Sequence, residues 1–299
     1  MSLLSFSANV KEEVSKLNTL KDKESVKAEL IGYLLTSNTS VIKNKIRFST
    51  ENEYNINRFN KLLNSLDIDY SIEMQGNTYV IIFKKLNMLD IIEYDNKDVI
   101  IKNNNISKNL KTADVLLKSI VRGSFLGAGS INNPKKTYHL EIVFSNKNNA
   151  LFIKDIVDTY EIDSKELTRN QNYSLYIKEG EDISKFLALI GASSAVLEFE
   201  EIRVIKDMRN NVNRIVNCET ANINKIVNTA VRQVEDIKLI QSKGKFKELP
   251  ENLQEIAILR LENKDVSLLE LGQMLKKPIG KSGVNHRLKK ISEIAKEMS

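Results

Sequence analysis

Polar and basic side chains that could bind a polyanion are concentrated near the C-terminal end of the chain. Their N–H and O–H groups can reach phosphate oxygens and the edges of bases. The candidates are Lys281, Ser282, Asn285, His286, Arg287, Lys289 and Lys290. At about 100° per residue, His286 lies nearly opposite the apolar positions of the same segment, with Asn285 and Arg287 on the flanks. The pattern indicates a helix with a polar, basic outer face.

The residues before this helix predict a second, shorter helix and a turn. Ser267 and Glu270 fit a capping box, in which hydroxyl and carboxylate bond to backbone N–H groups at the helix start. Gly272 leaves room for another helix to cross closely. Pro278 and Gly280 end the short helix and turn the chain.

Short helix, turn and second helix is the layout of a helix-turn-helix, whose second helix enters the major groove of DNA. Ser282 is the expected N-cap of that second helix. Its buried side is expected to consist of Val284, Leu288, Ile291 and Ala295. An ordinary helical hairpin with a solvated basic face is the alternative that the pattern leaves open.

The distribution of charge supports a polyanionic partner for the C-terminal part. Among the 299 residues, the first 200 hold 26 Lys and Arg against 26 Asp and Glu. The remaining 99 hold 19 against 13, which accounts for the whole net charge of +6. A neutral N-terminal part and a basic C-terminal part favour contact of the C-terminal part with nucleic acid.

Several function classes are disfavoured by composition. No apolar run approaches the roughly 18 residues that would span a bilayer, and the N-terminus does not resemble a signal peptide. One cysteine, Cys218, and two histidines do not form a metal-ligand pattern. The expected class is a soluble cytoplasmic protein without metal or cofactor.

The N-terminal two thirds contain the same succession of elements twice, after an arm at residues 1–20 that predicts an amphipathic helix. The first copy reads as helix 25–37, strand hairpin 41–49, helix 53–65, strand hairpin 70–83 and helix 84–92. The second copy reads as helix 112–128, strand 138–144, helix 147–159, a hairpin around 170–172 and helix 182–190. The apolar positions of the arm are Phe6, Val10 and Val14.

Two glycines bring the copies into register. Gly32 and Gly123 stand 91 positions apart, at matched places in the two longest apolar helices. Small residues there would let the two backbones pair closely about a pseudo-twofold axis. Such a pair resembles the LAGLIDADG homing-endonuclease fold, although two unrelated core helices are the alternative. The expected fold class is α+β, a pseudo-symmetric LAGLIDADG-like repeat domain followed by an all-α helix-turn-helix domain.

That resemblance also implies where nuclease chemistry would lie. LAGLIDADG nucleases carry an acidic residue near the end of each paired helix, and the two carboxylates hold divalent metal. The matching positions here are Ser37 and Ala128. The preceding motif positions, Leu35 and Leu126, are apolar as well. We therefore expect the scaffold to be retained and the nuclease activity to be lost.

Residues 197–244 are almost free of Gly and Pro and predict helix, with many Asn and Arg side chains. Arg209, Arg214, Asn217 and Lys225 are secondary candidates for holding phosphates. Polar residues that brace a junction between domains are the alternative. The residues expected to be buried are Ile215, Ala221, Ile226, Val227 and Ala230. A polar linker at 242–250 and a helix at 251–262 follow.

Together these motifs resemble the WhiA family of bacterial DNA-binding regulators. The residues that carry the resemblance are 122–126, 129–130, 138–141, 213–214, 217–219, 221–222, 267–268, 270–272 and 281–287. The expected domains are an arm at 1–20, LAGLIDADG-like repeats at 21–110 and 111–204, a helical connector at 205–249 and a helix-turn-helix domain at 250–299.

The resemblance implies a nucleoid-associated transcriptional regulator of cell division and chromosome segregation, with a sporulation role in relatives. The expected partner is double-stranded DNA, with other regulatory proteins as further candidates. A scaffold that meets proteins through the LAGLIDADG-like surface is an open alternative. A residual endonuclease is disfavoured by Ser37 and Ala128.

Overall fold

The computed structural model describes residues 5–86, 89–95, 97–102 and 113–298. The chain forms two compact units, Met1–Lys206 and Asp207–Ser299. Within the described ranges, no helix combines the length and apolarity needed to cross a membrane.

The first unit contains both predicted copies. Its helices are α1 (Phe6–Ser15), α2 (Lys23–Leu34), α3 (Glu53–Ser65), α4 (Asp114–Ala128), α5 (Lys147–Asp158) and α6 (Gly180–Ile190). Its strands are β1 (Thr39–Ile42), β2 (Lys45–Thr50), β3 (Tyr70–Gln75), β4 (Thr78–Lys84), β5 (Ile92–Tyr94), β6 (Val99–Ile101), β7 (Gly129–Ile131), β8 (Leu140–Phe144), β9 (Lys165–Arg169) and β10 (Asn172–Ile177). The predicted amphipathic helix of the arm is confirmed, since Phe6, Val10 and Val14 of α1 are buried in the core.

The two sheets show that the repeat is structural. The first sheet has the order β1-β2-β4-β3 and the second β7-β8-β10-β9, and every neighbouring pair is antiparallel. Each copy therefore arranges its four strands in the same order. Strand β7 follows α4 directly and was not predicted, because three residues are too few to show alternation.

The paired helices α2 and α4 approach each other at the two aligned glycines. A Cβ atom at Gly32 would lie 2.1 Å from the backbone oxygen of Ile120, and one at Gly123 would lie 2.0 Å from that of Glu29. Each contacted residue stands three positions before the other glycine, so the contact is reciprocal. Ser124 Oγ donates a hydrogen bond to Gly32 O at 3.2 Å. The predicted close pairing of these helices is confirmed.

The predicted helix at 84–92 is wrong in the residues that the structure describes. Lys84 is the last residue of β4, and Ile92 is the first residue of β5, which pairs with β6. The Tyr94 hydroxyl bonds to both backbone groups of Leu86, at 2.9 and 3.0 Å. Burial of Ile92 among the core residues favours this extended conformation over a local helical preference.

A buried ion pair lies beside the paired helices. Glu29 of α2 accepts hydrogen bonds from Arg58 Nε at 2.7 Å and Nη2 at 2.9 Å, and both side chains are 1% exposed. Arg122 of α4 places Nη1 3.6 Å from the same carboxylate. Arg58 Nη1 also donates to Leu17 O at 2.7 Å. Glu29, Arg58 and Arg122 thus place one charge each from α2, α3 and α4 in the interior of the first unit.

A helix of 50 residues, α7 (Ser193–Ser242), contributes to both units. The predicted burial of Ala230 is confirmed, at 4% exposure. The predicted burial of Ile215, Ala221, Ile226 and Val227 is wrong, since all four are exposed. The second core takes residues of α7 only from Ile237 onward.

The second unit is helical. After α7 it contains a 3-10 turn (Phe246–Glu248), α8 (Glu251–Glu262), α9 (Leu268–Gln273) and α10 (Lys281–Glu297). The predicted helix at 251–262 is confirmed. Its core includes Ile237, Ile256, Leu271 and Leu288, one from each of the four helices. This core fixes the three C-terminal helices against the end of α7.

Candidate nucleic-acid interface

The short helix α9 begins with the predicted capping box. Glu270 N donates to Ser267 Oγ at 3.3 Å, and Ser267 N donates to Glu270 Oε2 at 2.8 Å. The Ser267 N–H, with the Ser267 hydroxyl, holds the pKa of the Glu270 carboxyl below its usual value. The start of the helix is therefore fixed by its own side chains.

The turn between α9 and α10 explains why a glycine stands at position 272. A Cβ atom there would lie 2.2 Å from the backbone oxygen of Ile279, and Ile279 N donates to Gly272 O at 3.1 Å. The close neighbour is mainly the backbone of the turn, whereas we expected a crossing helix. Lys276 N donates to Glu255 Oε1 of α8 at 2.7 Å, which ties the same turn to the core.

The second helix begins earlier than predicted. Its N-cap is Gly280, in extended conformation with φ −71° and ψ 166°, and α10 starts at Lys281. Gly283 N and Val284 N both donate to Gly280 O. The prediction of Ser282 as N-cap is therefore wrong: that residue lies in the first helical turn with its side chain exposed.

Helix α10 separates an apolar side from a polar side. The predicted buried residues are confirmed, since Val284, Leu288, Ile291 and Ala295 are at most 1% exposed. The exposed candidates are Lys281, Ser282, Asn285, His286, Lys289 and Lys290, whereas Arg287 is half-buried. Spacings of three and four residues align them along one face. The structure brings together all seven candidates on the first three turns of one helix.

The cations of this face are nearly free of carboxylate partners. Among the described residues of the second unit, the one ion pair within 4.0 Å joins Lys289 Nζ to Glu293 at 3.9 Å, and both side chains are exposed. An exposed pair of this kind contributes little binding energy. Lys281, Arg287 and Lys290 keep their donors available for an external anion.

The secondary candidates lie on α7. Arg209, Arg214, Asn217 and Lys225 are all exposed, in a part of the second unit where every side chain from 207 to 229 is exposed. At 1.5 Å per residue, they extend over about 24 Å of helix. They form a line of polar groups along α7, and Lys225 lines one cleft together with Lys281 and Asn285 of α10.

LAGLIDADG nucleases carry an acidic residue at two positions. The matching positions here lie at the ends of the paired helices. Ser37 follows α2 and donates its backbone N–H to Val143 O at 3.0 Å, and Ala128 is the last residue of α4. Asn38 Nδ2 donates to Gly127 O at 2.7 Å, which joins the two ends. Both positions are half-buried.

Two buried asparagines that sequence reasoning missed cap the same helix ends reciprocally. Asn55 of the first copy donates to Leu126 O at 2.6 Å, and Asn149 of the second copy donates to Leu35 O at 3.0 Å. Leu35 and Leu126 are the aligned apolar positions of the two motifs. One carbonyl at each helix end is thus satisfied by the opposite copy. Nothing local in the sequence distinguishes these asparagines from surface ones.

A lysine lies near these helix ends. Lys11 Nζ of α1 is 6.0 Å from the centre of the Phe125 ring, and the side chain lines a cleft of about 530 Å³ that also includes Asn38. Burial lowers the pKa of the Lys11 ammonium to about 8. Its aliphatic stem is packed while its charge lacks a carboxylate within 4.0 Å among the described residues.

The residues at these helix ends do not fit the divalent metal that LAGLIDADG nucleases bind. Such a metal needs hard oxygen ligands, mostly carboxylates. Ser37 and Ala128 supply no carboxylate, and within the described ranges no three His, Cys, Asp or Glu side chains could hold a metal ion together. Lys11 adds a positive charge near Asn38. We derive no metal-dependent step from this region.

Comparison with protein families decides the relationship. The model of the WhiA LAGLIDADG-like domain matches residues 35–111 and 117–209, and that of the WhiA C-terminal HTH domain matches residues 212–295. The chain belongs to the WhiA family. The helix-turn-helix interpretation of α9 and α10 and the LAGLIDADG-like fold of the first unit are confirmed, and the alternative of an ordinary helical hairpin is set aside.

Relatives within the WhiA family cover the whole chain. A probable cell division protein WhiA of Clostridium tetani is 45% identical over 99% of this chain and 98% of its own length. One of Clostridium acetobutylicum is 43% identical over the same shares. The crystal structure of full-length DUF199/WhiA from T. maritima has 28% identity and a TM-score of 0.60, and covers 99% of both chains. Both units of this protein therefore have counterparts in the WhiA family.

Proposed function

We propose that this protein binds double-stranded DNA in a sequence-specific manner and regulates transcription in cell division and chromosome segregation. The observation that carries the proposal is the exposed face of α10. It presents polar and basic side chains on the second helix of a helix-turn-helix, with one weak carboxylate contact among the described residues of its unit. Second helices in this position enter the major groove with their N-terminal residues at base edges. The nucleoid is the corresponding location in the cell.

Roles follow from position on the helix. The residues assigned to base edges are Lys281, Ser282, Asn285, His286 and Lys289, which occupy the exposed side of the first turns. Arg287 is half-buried at the flank, and Lys290 lies further along, so both are assigned to phosphates. Base contacts determine sequence preference, while phosphate contacts set position and overall affinity.

The polar line on α7 is assigned an auxiliary role. Arg209, Arg214, Asn217 and Lys225 are exposed and could hold phosphates outside the site that α10 reads. Their spread over about 24 Å of helix is comparable to seven base pairs at 3.4 Å each. Contacts so spaced would add affinity without base preference.

The nuclease activity of the LAGLIDADG fold is proposed to be lost. This follows from Ser37 and Ala128 at the helix ends, from the Asn55 and Asn149 caps and from the nearby Lys11 charge. The purified protein, incubated with magnesium or manganese and plasmids that carry its bound sites, is expected to leave them intact. Reproducible site-specific double-strand breaks would contradict the proposal.

The cell-division role is supported by the names of the relatives, which are probable cell division proteins WhiA in two Clostridium species. Mapping of bound sites across the genome tests it directly. Enrichment at a shared sequence near division and segregation genes is expected. Binding spread evenly over the chromosome would favour the alternative of a chromosome-associated scaffold.

Readout by α10 is tested with a double variant, Asn285→Ala with His286→Ala. A lost base contact costs about 1–3 kcal/mol of discrimination, so competition binding should show a roughly tenfold smaller preference for the mapped site over random DNA. Lys296→Ala, an exposed change in the last turn of the same helix, is the matched control. A double variant with wild-type preference would remove α10 as the reader and make the α7 residues the leading candidates.

A further inference from the structure

The second unit contains a cleft that the DNA-binding role does not account for. Its volume is about 470 Å³, within the range of small-molecule sites. One wall comes from α7 and another from the start of α9, including Ile226 and Leu268. Lys281 and Asn285 of α10 also line it. With Lys225 of α7, three side chains assigned to DNA therefore line the cleft.

Two residues that line this cleft each carry a buried polar atom without a hydrogen-bond partner. Gln233 of α7 is 7% exposed and Arg260 of α8 is 2% exposed. Gln233 Oε1 and Arg260 Nε are both buried without a partner among the described residues. An unpaired buried polar group is costly, so such groups usually have a reason in a ligand or in bound water. One is an acceptor and the other a charged donor, and both belong to the same cleft.

The bonds that Arg260 does make show which edge is available. Its Nη1 donates to three backbone oxygens in the segment that follows α8, at 3.4, 3.3 and 3.0 Å. The edge of the guanidinium that contains Nε is left for another partner. That edge can form paired hydrogen bonds with a carboxylate. No described carboxylate lies within 4.0 Å of Arg260, and burial lowers the pKa of its guanidinium. A buried cation without a counter-charge favours an anionic ligand.

The remaining walls define the rest of the ligand. Ile226, Ala230, Leu268 and Leu269 give the cleft an apolar surface, while Lys281 adds a second cation at its border. A free inorganic ion would leave the apolar surface in water. A neutral apolar molecule would leave Arg260 unpaired. The combination fits a molecule with a carboxylate, a hydroxyl or amino donor and an apolar body.

We propose that this cleft binds a small organic carboxylate that regulates DNA binding. The carboxylate pairs with the Nε edge of Arg260, the ligand's donor bonds to Gln233 Oε1, and the apolar body packs against Ile226 and Leu268. Regulation rests on the proposed function, because the bound ligand would lie beside Lys281 and Asn285, which line the same cleft and are assigned to DNA. By linkage, each lowers the affinity of the other by the same factor.

The binding step is tested on the full-length chain without DNA. The probes are 2-, 3- and 4-hydroxybenzoate, which vary the distance between carboxylate and hydroxyl, measured by saturation-transfer NMR and calorimetry. At least one isomer is expected to bind with one-to-one stoichiometry. Benzamide, which lacks the charge, and inorganic phosphate, which lacks the apolar body, should bind much more weakly. Failure of all three isomers, or equal binding of either comparison compound, overturns the site.

Variants then locate the binding. Gln233→Met keeps the side-chain length and removes the unpartnered oxygen, so the affinity for the best isomer should fall at least about fivefold while thermal stability does not fall. Gln241→Met makes the same change at an exposed position of α7 outside the cleft and should alter neither. Lys281→Ala, at an exposed residue that cannot disturb the core, should also weaken the probe. Unchanged affinity in both cleft variants overturns the assignment.

The regulatory step has its own readout. A saturating concentration of the bound isomer should lower the affinity of the wild-type chain for its mapped DNA site. Gln233→Met should shift this effect to a probe concentration at least about fivefold higher. If the probe binds and DNA affinity is unchanged, regulation through this cleft is overturned. If the chain binds no DNA at all, the proposed function fails, while the titration without DNA still decides whether the cleft is a carboxylate site.

Discussion

The two units of the molecule use their charged side chains in opposite ways. In the first, Glu29 and Arg58 are 1% exposed and bonded to each other, with Arg122 beside them. In the second, the cations of α10 are exposed and Lys289–Glu293 at 3.9 Å is the one ion pair among its described residues. Opposite charges can thus neutralise each other in the interior of a fold, as Glu29 and Arg58 do. A modest excess of cations left unpaired on one helix instead creates a surface for a polyanion.

The largest effect is expected from Gly123→Ala, which attacks the paired helices of the first unit. The new Cβ would lie 2.0 Å from the backbone oxygen of Glu29, so the helices must separate. The free energy of unfolding of this unit should fall by at least about 4 kcal/mol. Hydrogen exchange should show lost protection in the first unit and unchanged protection in α8 and α10.

Gly76→Asn is the matched control for this glycine. Gly76 has φ +62° at the tip of the hairpin between β3 and β4, and a Cβ there would meet nothing within 4 Å. Asparagine tolerates this backbone conformation, so stability should hardly change. Equal exchange profiles for the Gly123 and Gly76 variants would show that the close helix contact is not required.

Breaking the buried ion pair should have the next largest effect. Glu29→Gln leaves the Arg58 and Arg122 charges buried beside a neutral amide, which should cost about 3–5 kcal/mol of stability in urea unfolding. Glu12→Gln removes the half-buried partner of the exposed Lys16, which lies one turn further along, and should cost less than about 1 kcal/mol. Similar losses in both variants would mean that burial does not distinguish the two pairs.

The Lys11 ammonium provides a test that depends on pH. Its folded-state pKa of about 8 lies below the usual value of 10.5, so the folded unit disfavours the charged form. The penalty is full below pH 8 and disappears as pH rises to 10.5, where the unfolded chain also loses the proton. Lys11→Met should therefore stabilise the unit by about 1–3 kcal/mol at pH 7.

The difference in the free energy of unfolding between wild type and Lys11→Met should vanish near pH 10.5. The measurement is urea unfolding of both proteins at several pH values from 7 to 10.5. Lys16→Met on the same helix is the control, because Lys16 is exposed and paired with Glu12. A gain in stability that does not depend on pH would assign the effect to packing instead of charge.

Much of the fold follows from local signals in the sequence. The capping box of Ser267 and Glu270, the hairpin turn at Gly76 and the apolar row of α10 each depend on residues within a few positions of one another. The pairing of Gly32 with Gly123 was predictable as well, because the repeat aligns them. Signals of this kind describe an element before its neighbours are known.

What could not be predicted depends on contacts between distant residues. Asn55 and Asn149 look like surface asparagines until the opposite helix end is placed against them. Residues 84–92 lose their helical preference to the pairing of β5 with β6. Ile215 has the spacing of a buried residue, yet the second core begins further along α7. Gly280 begins α10, although Ser282 has the better capping side chain.

The smallest effect should come from single cations of α10, and it distinguishes paired from unpaired charge. Lys290 has no described carboxylate within 4.0 Å, whereas Lys289 lies 3.9 Å from Glu293. If Lys290 contacts a phosphate, Lys290→Ala should reduce the slope of log affinity against log salt by about one and weaken cognate and random DNA alike. Arg287→Ala should behave in the same way.

Glu293→Gln completes this last comparison. It releases Lys289 from its weak partner and removes a negative charge from the DNA-facing side, so affinity should rise slightly at low salt and not at high salt. Fluorescence anisotropy at several salt concentrations measures all three variants against the wild-type chain. Lys290→Ala could leave the slope of log affinity against log salt unchanged while Glu293→Gln makes that slope steeper. In that case the DNA backbone lies on the Lys289 side of α10. The assignment of bases and phosphates along this helix would then have to be exchanged.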